Sequence, residues 1–104
     1  MPHFGQVGQH PRVDDEQKLE ELRLHIDGID GRILELVAER LRTALEIGAI
    51  KRRLKRPIYD PERERLIVER LIGRAPEPLA PEQVRRVFER LIDESRRAEL
   101  ARDA

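Results

Sequence analysis

The feature that most constrains this chain is a long apolar seam between Leu19 and Leu54. Leu19, Leu22, Ile26, Ile29, Ile33 and Leu36 recur in steps of three and four, and Ile47, Ile50 and Leu54 continue the same register. That spacing marks a helix that packs along its length against another helix. No proline lies between Val13 and Arg56 to interrupt it. About 36 residues at 1.5 Å each extend roughly 54 Å, whereas a compact domain of this size is roughly 35 Å across. A helix that long leaves its stripe bare on a single small domain. The length therefore predicts a homodimer in which a second copy lies alongside. An isolated coiled coil is the simpler alternative, but the remaining chain brings more apolar helix that must also be buried.

Two seam positions are polar. Arg40 and Thr43 stand where the register asks for core residues. A charge in an apolar seam is costly unless it is paired, so this interruption is where function is to be sought.

The wider composition narrows the class. The 104 residues form one domain at most, and 21 Lys plus Arg balance 21 Asp plus Glu. Zero net charge argues against a nucleic-acid binder, which carries a basic excess. With 40% charged and 3% aromatic residues, the chain reads as helices with solvated, ion-paired outer faces. The absence of cysteine excludes disulfides and thiolate chemistry. No apolar run approaches a membrane span of roughly 18 residues, and the first residues lack the apolar core of a secretory signal. A cytoplasmic protein is expected.

Taken in order, residues 1–13 are polar and read as a disordered tail, and 14–104 form the domain. His3 and His10 have no clustered ligand types beside them, so no metal site is expected. Asp14 or Asp15 can cap the first helix, which runs to about Arg53. Gly28, Gly31 and Gly48 weaken it locally, and on a closely packed helix they mark near backbone approach rather than a break. Residues 55–59 form a linker, because Pro57 forbids helix and biases Arg56 toward an extended shape. Asp60-Pro61 is a helix start, an N-cap carboxylate followed by proline at the first helical position. The second helix carries Ile67, Leu71 and Ile72 and ends near Gly73. Pro81 starts a third, with Val84, Val87, Phe88, Leu91 and Ile92 as its apolar face. Continued along the helix, that face meets Ser95 and Glu99. The expected fold is all-α, three helices ordered long, short, medium.

The polar interruptions form a set. Arg40 and Lys51 lie eleven residues apart, about three turns, on one face of the first helix. Arg63 and Glu64 sit in the first turn of the second, and Ser95 and Glu99 share a face of the third. Folding these helices together makes a pocket with several cations, a hydroxyl and two carboxyl groups. Such a pocket suits a small anion carrying more than one carboxylate, because guanidinium groups clamp carboxylates bidentately. Arg23 is roughly 25 Å from Arg40 along the helix and cannot reach the same small ligand from the same chain. In an antiparallel dimer, Arg23 of the partner subunit could.

The series Arg23, Arg40, Lys51, Asp60, Arg63-Glu64, Ser95 and Glu99, with the stretches LVAERLRTALEIGAIKR and PIYDPERERLIVERL, resembles the all-helical (AroQ-class) chorismate mutases. The likeness spans about Leu19 to Leu100. It implies an intertwined dimer of three-helix chains with antiparallel long helices and two shared active sites. It also implies a reaction, the pericyclic rearrangement of chorismate to prephenate in phenylalanine and tyrosine biosynthesis, on the shikimate pathway. That isomerisation needs no nucleophile, metal or cofactor. By the same resemblance, Arg40 and Arg23 of the partner subunit hold the substrate's carboxylates, with Ser95 nearby and Arg63 supporting at the pocket edge. Asp60, through its backbone, and Glu64 address the ring hydroxyl. Lys51 bonds the ether oxygen and a carboxylate. Ile47, Ile67 and Ile92 form the apolar walls.

One position departs from the commoner bacterial pattern. Glu99 stands where many relatives carry glutamine opposite the ether oxygen. An ionised carboxylate would repel the charge that develops there, so Glu99 is expected to act protonated, its pKa raised by burial.

Three rival functions remain. Isochorismate-pyruvate lyase shares this fold and nearly the same polar residues. A non-catalytic helical dimer could serve as a regulatory module associated with a shikimate-pathway enzyme, although the complete residue set favours catalysis. A nucleic-acid binder could draw on Arg85, Arg86, Arg90, Arg96 and Arg97, but Glu82, Glu89, Asp93 and Glu94 are interleaved with them.

Overall fold

The computed structural model describes residues 11–103, and side chains from 14 to 102. Three helices account for the described residues, without a strand: α1 Pro11–Arg53, α2 Pro61–Arg74 and α3 Pro81–Asp103. The three-helix, long–short–medium order is the one expected. Of the tail expected over residues 1–13, residues 11–13 belong to α1, and residues 1–10 lie outside the described residues. Helix α1 begins at Pro11 rather than at Asp14, which falls in its first turn. Proline is tolerated at a first helical position because its missing N–H would have had no helical partner.

The chain divides after Leu36 into two units. In the first, residues 14–36 are exposed apart from half-buried Ile29. Leu19, Leu22, Leu24, Ile26, Ile33, Leu34 and Leu36 all lie open.

The second unit holds the last turns of α1 together with α2 and α3. Its buried apolar side chains are Val68 of α2 and Val84 and Ile92 of α3. Each helix end has a local cause. At the end of α1 the Lys55 N–H donates to Arg52 O (3.1 Å) and the Arg56 N–H to Lys51 O (2.8 Å). Lys55 has φ 58°, so this is a Schellman stop with lysine in the left-handed position that glycine normally fills. It turns the linker back toward Lys51. Asp60 caps α2 by accepting from the Arg63 N–H at 3.1 Å, with Pro61 at the first helical position. Helix α2 ends one residue past Gly73, at Arg74, and Ala75 closes it in an extended conformation, so no left-handed glycine is involved. At the start of α3, Gln83 Oε1 accepts from the Ala80 N–H at 2.8 Å, one half of a capping box.

Candidate active site

The polar face anticipated on α3 is buried. Ser95 and Glu99 are each 8% exposed, and they are the buried polar residues of the described chain. They lie four residues apart, one turn, in register with Ile92 above them. The face meets the last turns of α1. Arg40 Nη1 donates to Ser95 Oγ at 2.8 Å, and the Ser95 hydroxyl in turn donates to Leu91 O at 2.9 Å. The seam arginine is therefore paired with a hydroxyl, which leaves its charge unneutralised. Four of its five N–H donors remain for another partner.

Glu99 packs directly on α1. A Cβ built on Gly48 would stand 3.1 Å from Glu99 Cγ and 3.3 Å from its Oε2. Gly48 is thus the gap that admits the glutamate. Burial pushes the Glu99 carboxyl above the ordinary glutamate value. Lys51, Arg52 and Arg40 of α1 pull it back, and Glu64 of α2 adds to the rise. Burial wins because desolvation penalises the charged form more than these half-buried cations repay it. The result is a carboxyl inclined to hold its proton, faced by three cations.

Lys51 reaches the linker, with Nζ donating to Ile58 O at 3.1 Å. An ammonium has three donors, so two are left. Arg52 Nη1 lies 3.4 Å from Glu99 O. Asp60 is engaged as the α2 cap, and Arg63 is exposed beside it. Of the three apolar residues expected to wall the pocket, Ile92 is buried, Ile67 half-buried and Ile47 exposed. Arg23 belongs to the first unit and is exposed.

The Glu64 carboxylate is held by Arg96, whose Nη1 is 2.8 Å from both its oxygens. Arg96 also donates from Nη2 to Asp93 Oδ1 at 2.7 Å, and its guanidinium lies over the Tyr59 ring, 5.0 Å from the centroid. Neither Arg52 nor Arg96 had been singled out as part of the site. Arg52 is masked by its neighbour Lys51. Arg96 follows Ser95 by one residue, which turns it away from the buried face by about 100°, and only its partner on α2 reveals it. An open hollow of about 370 Å³ between α2 and α3 has Val68 and Ile92 at its lining together with Glu64 and Arg96. Arg40, Lys51 and Glu99 do not line it, so it is distinct from the cation cluster.

Among the described residues no cluster of His, Cys, Asp or Glu could hold a metal ion, and no helix is long and apolar enough to cross a membrane.

Residues 22–100 match the family described as chorismate mutase type II. A chorismate mutase of Methanocaldococcus jannaschii is 40% identical over 81 residues, 77% of this chain and 82% of that protein. The bifunctional chorismate mutase/prephenate dehydratase of Escherichia coli K12 is 39% identical over 85 residues, 80% of this chain but only 22% of that longer protein. In structure, the chorismate mutase of Helicobacter pylori, solved in complex with prephenate, superposes with a TM-score of 0.76 at 34% identity, covering 82% of this chain and 92% of that one. Family, sequence relatives and fold agree: this chain belongs to the type II chorismate mutases, the all-helical isomerases that rearrange chorismate to prephenate.

Proposed function

We propose that chorismate binds in the cluster formed by Arg40, Lys51, Ser95 and Glu99, and that Arg23 of the partner subunit completes the site in a homodimer with antiparallel α1 helices. The observation that carries this reading is the buried Glu99 carboxyl faced by Arg40, Lys51 and Arg52. With Glu99 neutral, Arg40 and Lys51, bonded to the uncharged Ser95 hydroxyl and Ile58 carbonyl, stand beside Glu64, which Arg96 already matches. That charge suits a dicarboxylate. Arg40, oriented by Ser95, clamps one carboxylate through its free donors, and the partner's Arg23 takes the other. Arg63 supports the pocket edge, and Glu64 with the Asp60 backbone receives the ring hydroxyl. Ile47, Ile67 and Ile92 supply the apolar walls.

Catalysis then has two parts. Fixing both carboxylates holds the enolpyruvyl arm over the ring, which removes the entropy cost of reaching the reactive conformer. As the ether bond breaks, negative charge gathers on its oxygen. Lys51 and protonated Glu99 are donors already in position to receive it, at no cost of reorganisation. Bond making and breaking are concerted within the substrate, so the mechanism asks the protein for no covalent intermediate and no cofactor.

The dimer is supported by the open apolar residues of the first unit and by the thin core of the second. A cytoplasmic role in phenylalanine and tyrosine synthesis fits the biosynthetic relatives. Fusion of such a domain to prephenate dehydratase in the Escherichia coli protein makes association with an enzyme of the same pathway a further expectation.

Complementation between subunits tests the shared site. Arg23→Ala and Arg40→Ala, purified separately, are each expected to convert chorismate to prephenate at a rate lower by about 10²-fold or more. Co-expressed, they form heterodimers in which one of two sites has both arginines, and random pairing restores about a quarter of wild-type activity. No recovery in a confirmed heterodimer places both arginines in one chain's site and removes the shared pocket. A wild-type protein that leaves chorismate unchanged but cleaves isochorismate is a lyase. One that acts on neither is a binding module.

A further inference from the structure

Arg96 joins three parts of the second unit. It comes from α3, it holds Glu64 of α2 through both carboxylate oxygens, and it stacks on Tyr59 of the linker. Its third partner, Asp93, is itself fixed, because Arg97 Nε occupies the other Asp93 oxygen at 2.9 Å. The guanidinium therefore has little freedom. Its environment differs from that of two other arginines with two acidic partners, Arg85 (Glu82 and Glu89), whose side chain is 42% exposed, and Arg65. Arg65, paired with Glu62 and Glu69, has a side chain 52% exposed, whereas the Arg96 and Glu64 side chains are each 25% exposed. Exposed pairs exchange readily with water and fix little. A partly desolvated guanidinium whose Nη1 serves both Glu64 oxygens while its Nη2 holds Asp93 is fixed in orientation.

The linker is gripped on both sides at consecutive residues. Lys51 holds the carbonyl of Ile58 from α1, and Arg96 covers the ring of Tyr59 from α3. Asp60, the next residue, is committed to the α2 cap, and among the described residues the Glu64 carboxylate accepts its side-chain hydrogen bonds from Arg96. Glu64 is close enough to the buried cluster for its charge to be felt at Glu99. Unmatched, that carboxylate would compete with a bound dianion for the cations of the cluster. Matched by Arg96, it keeps lone pairs free to accept from a hydroxyl.

We infer that Arg96 is a positioning residue for the rearrangement: it orients and neutralises Glu64 and, through Tyr59, holds the linker against the site. This rests on the assignment of Glu64 to the substrate's ring hydroxyl. Lysine cannot replace arginine here, because an ammonium can keep the charge on Glu64 but cannot also hold Asp93 through a second nitrogen and lay a flat face on Tyr59.

A double-mutant cycle with two readouts tests it. Steady-state kinetics with chorismate are measured for wild type, Arg96→Ala, Arg96→Lys, Glu64→Ala and the Glu64→Ala/Arg96→Ala pair, with Arg90→Ala, an exposed arginine of the same helix, as control. Arg96→Ala is expected to lower kcat/KM by about 10- to 100-fold in the presence of Glu64, and by less than about threefold once Glu64 is gone. Arg96→Lys should fall between, and it stands in for the alanine variant if that fails to fold. Hydrogen exchange of the linker amides, read without substrate, should quicken about tenfold or more in Arg96→Ala and not in Arg90→Ala. Equal losses in both backgrounds overturn the role through Glu64. Wild-type kcat/KM with only a lower Tm makes Arg96 a structural brace, and unchanged linker exchange removes the clamp. If Glu64→Ala itself turns over normally, the fault lies with the assignment of Glu64. If the wild type does not consume chorismate, it lies with the functional reading, and the exchange experiment still decides the clamp.

Discussion

The two halves of α1 use one sequence rhythm in opposite ways. Between residues 14 and 36 the seam residues other than half-buried Ile29 lie open, and a Cβ on Gly28 or Gly31 would meet nothing within 4 Å among the described residues. Between residues 37 and 53 the seam is interrupted by Arg40, which bonds Ser95, and the glycine there, Gly48, is filled by Glu99. A glycine in a helix interior costs about 0.5–1 kcal/mol relative to alanine. Gly48 returns that cost within its own chain by admitting a buried carboxyl. Gly28 and Gly31 return nothing among the described residues. The first half carries apolar surface and glycines with no contact among the described residues, and the second carries the polar groups of the proposed site. A helix that divides its labour in this way is what the proposed shared pocket requires, with one half packed on a second copy and the other kept.

The contrast breaks most severely if the first half is made unable to receive a second copy. Ile26→Glu with Ile33→Glu leaves good helix formers on an already exposed face, so the single chain should keep its helix content. In a dimer the same carboxylates would be buried without partners. The expected result is a monomer by analytical ultracentrifugation, with chorismate turnover reduced by about 10²-fold or more because the partner's Arg23 is gone. A dimer that survives both substitutions, or a monomer with full activity, would show that the open seam is not the interface.

Much of this arrangement was legible in the residues, and the parts that were not share a physical reason. Period alone carried the α3 face through Ile92 to Ser95 and Glu99, both of which are buried. Local chemistry gave the Asp60-Pro61 start of α2. What period cannot give is who stands opposite. Arg40 and Ser95 are 55 residues apart and Arg96 and Glu64 are 32 apart, and no spacing rule links residues across separate helices. Arg96 was therefore grouped with the surface arginines around it. The stop signals marked place and not geometry. Helix α2 ends near Gly73 as expected, yet at Arg74 and without a left-handed glycine, while Lys55 takes that conformation, because the hydrogen bonds of the stop depend on backbone angle and not on residue type.

Glu99 sharpens the second half of the comparison, with an effect of about tenfold per pH unit. Its folded pKa is raised, by burial first, against Lys51, Arg52 and Arg40 and with Glu64. If the protonated form is the active donor, kcat/KM should fall about tenfold per unit once pH exceeds that raised value. Glu99→Gln, a neutral donor at every pH, should be flat and should exceed the wild type at the alkaline end. Stability follows the same sign. A raised carboxyl pKa means that the contribution is fully present below the unfolded value and is lost as pH rises through the folded one. Glu99→Gln should therefore gain stability over the wild type at neutral pH and lose that gain in acid, as read by denaturation at both ends. A wild-type rate that stays flat from about pH 5 to 8, across the range open to a raised carboxyl, rejects the protonated donor.

The smallest effect concerns how the second half is brought to a stop. Lys55 sits at φ 58°, where a side chain costs roughly 1–2 kcal/mol through contact of Cβ with the following carbonyl. Glycine escapes that cost but loses more backbone freedom on folding, about 0.5–1 kcal/mol. Comparing Lys55→Gly with the wild type would confuse this balance with the loss of a cation near a helix C-terminus, which is itself worth about 0.3–1 kcal/mol. Lys55→Gly and Lys55→Ala both discard the ammonium and the long side chain, so their difference isolates the backbone. The glycine variant should be the more stable of the two by about 0.5–1 kcal/mol, a Tm difference of roughly 2–8 °C for a domain of this size. Both should keep near-wild-type kcat/KM, because Lys51 and the returning linker are held by the hydrogen bonds of the stop, which either residue can make. Equal stability would mean that the left-handed turn is not kept in solution. In that case the path of the linker back over Lys51 would have to be set by its contacts with Lys51 and Arg96 alone.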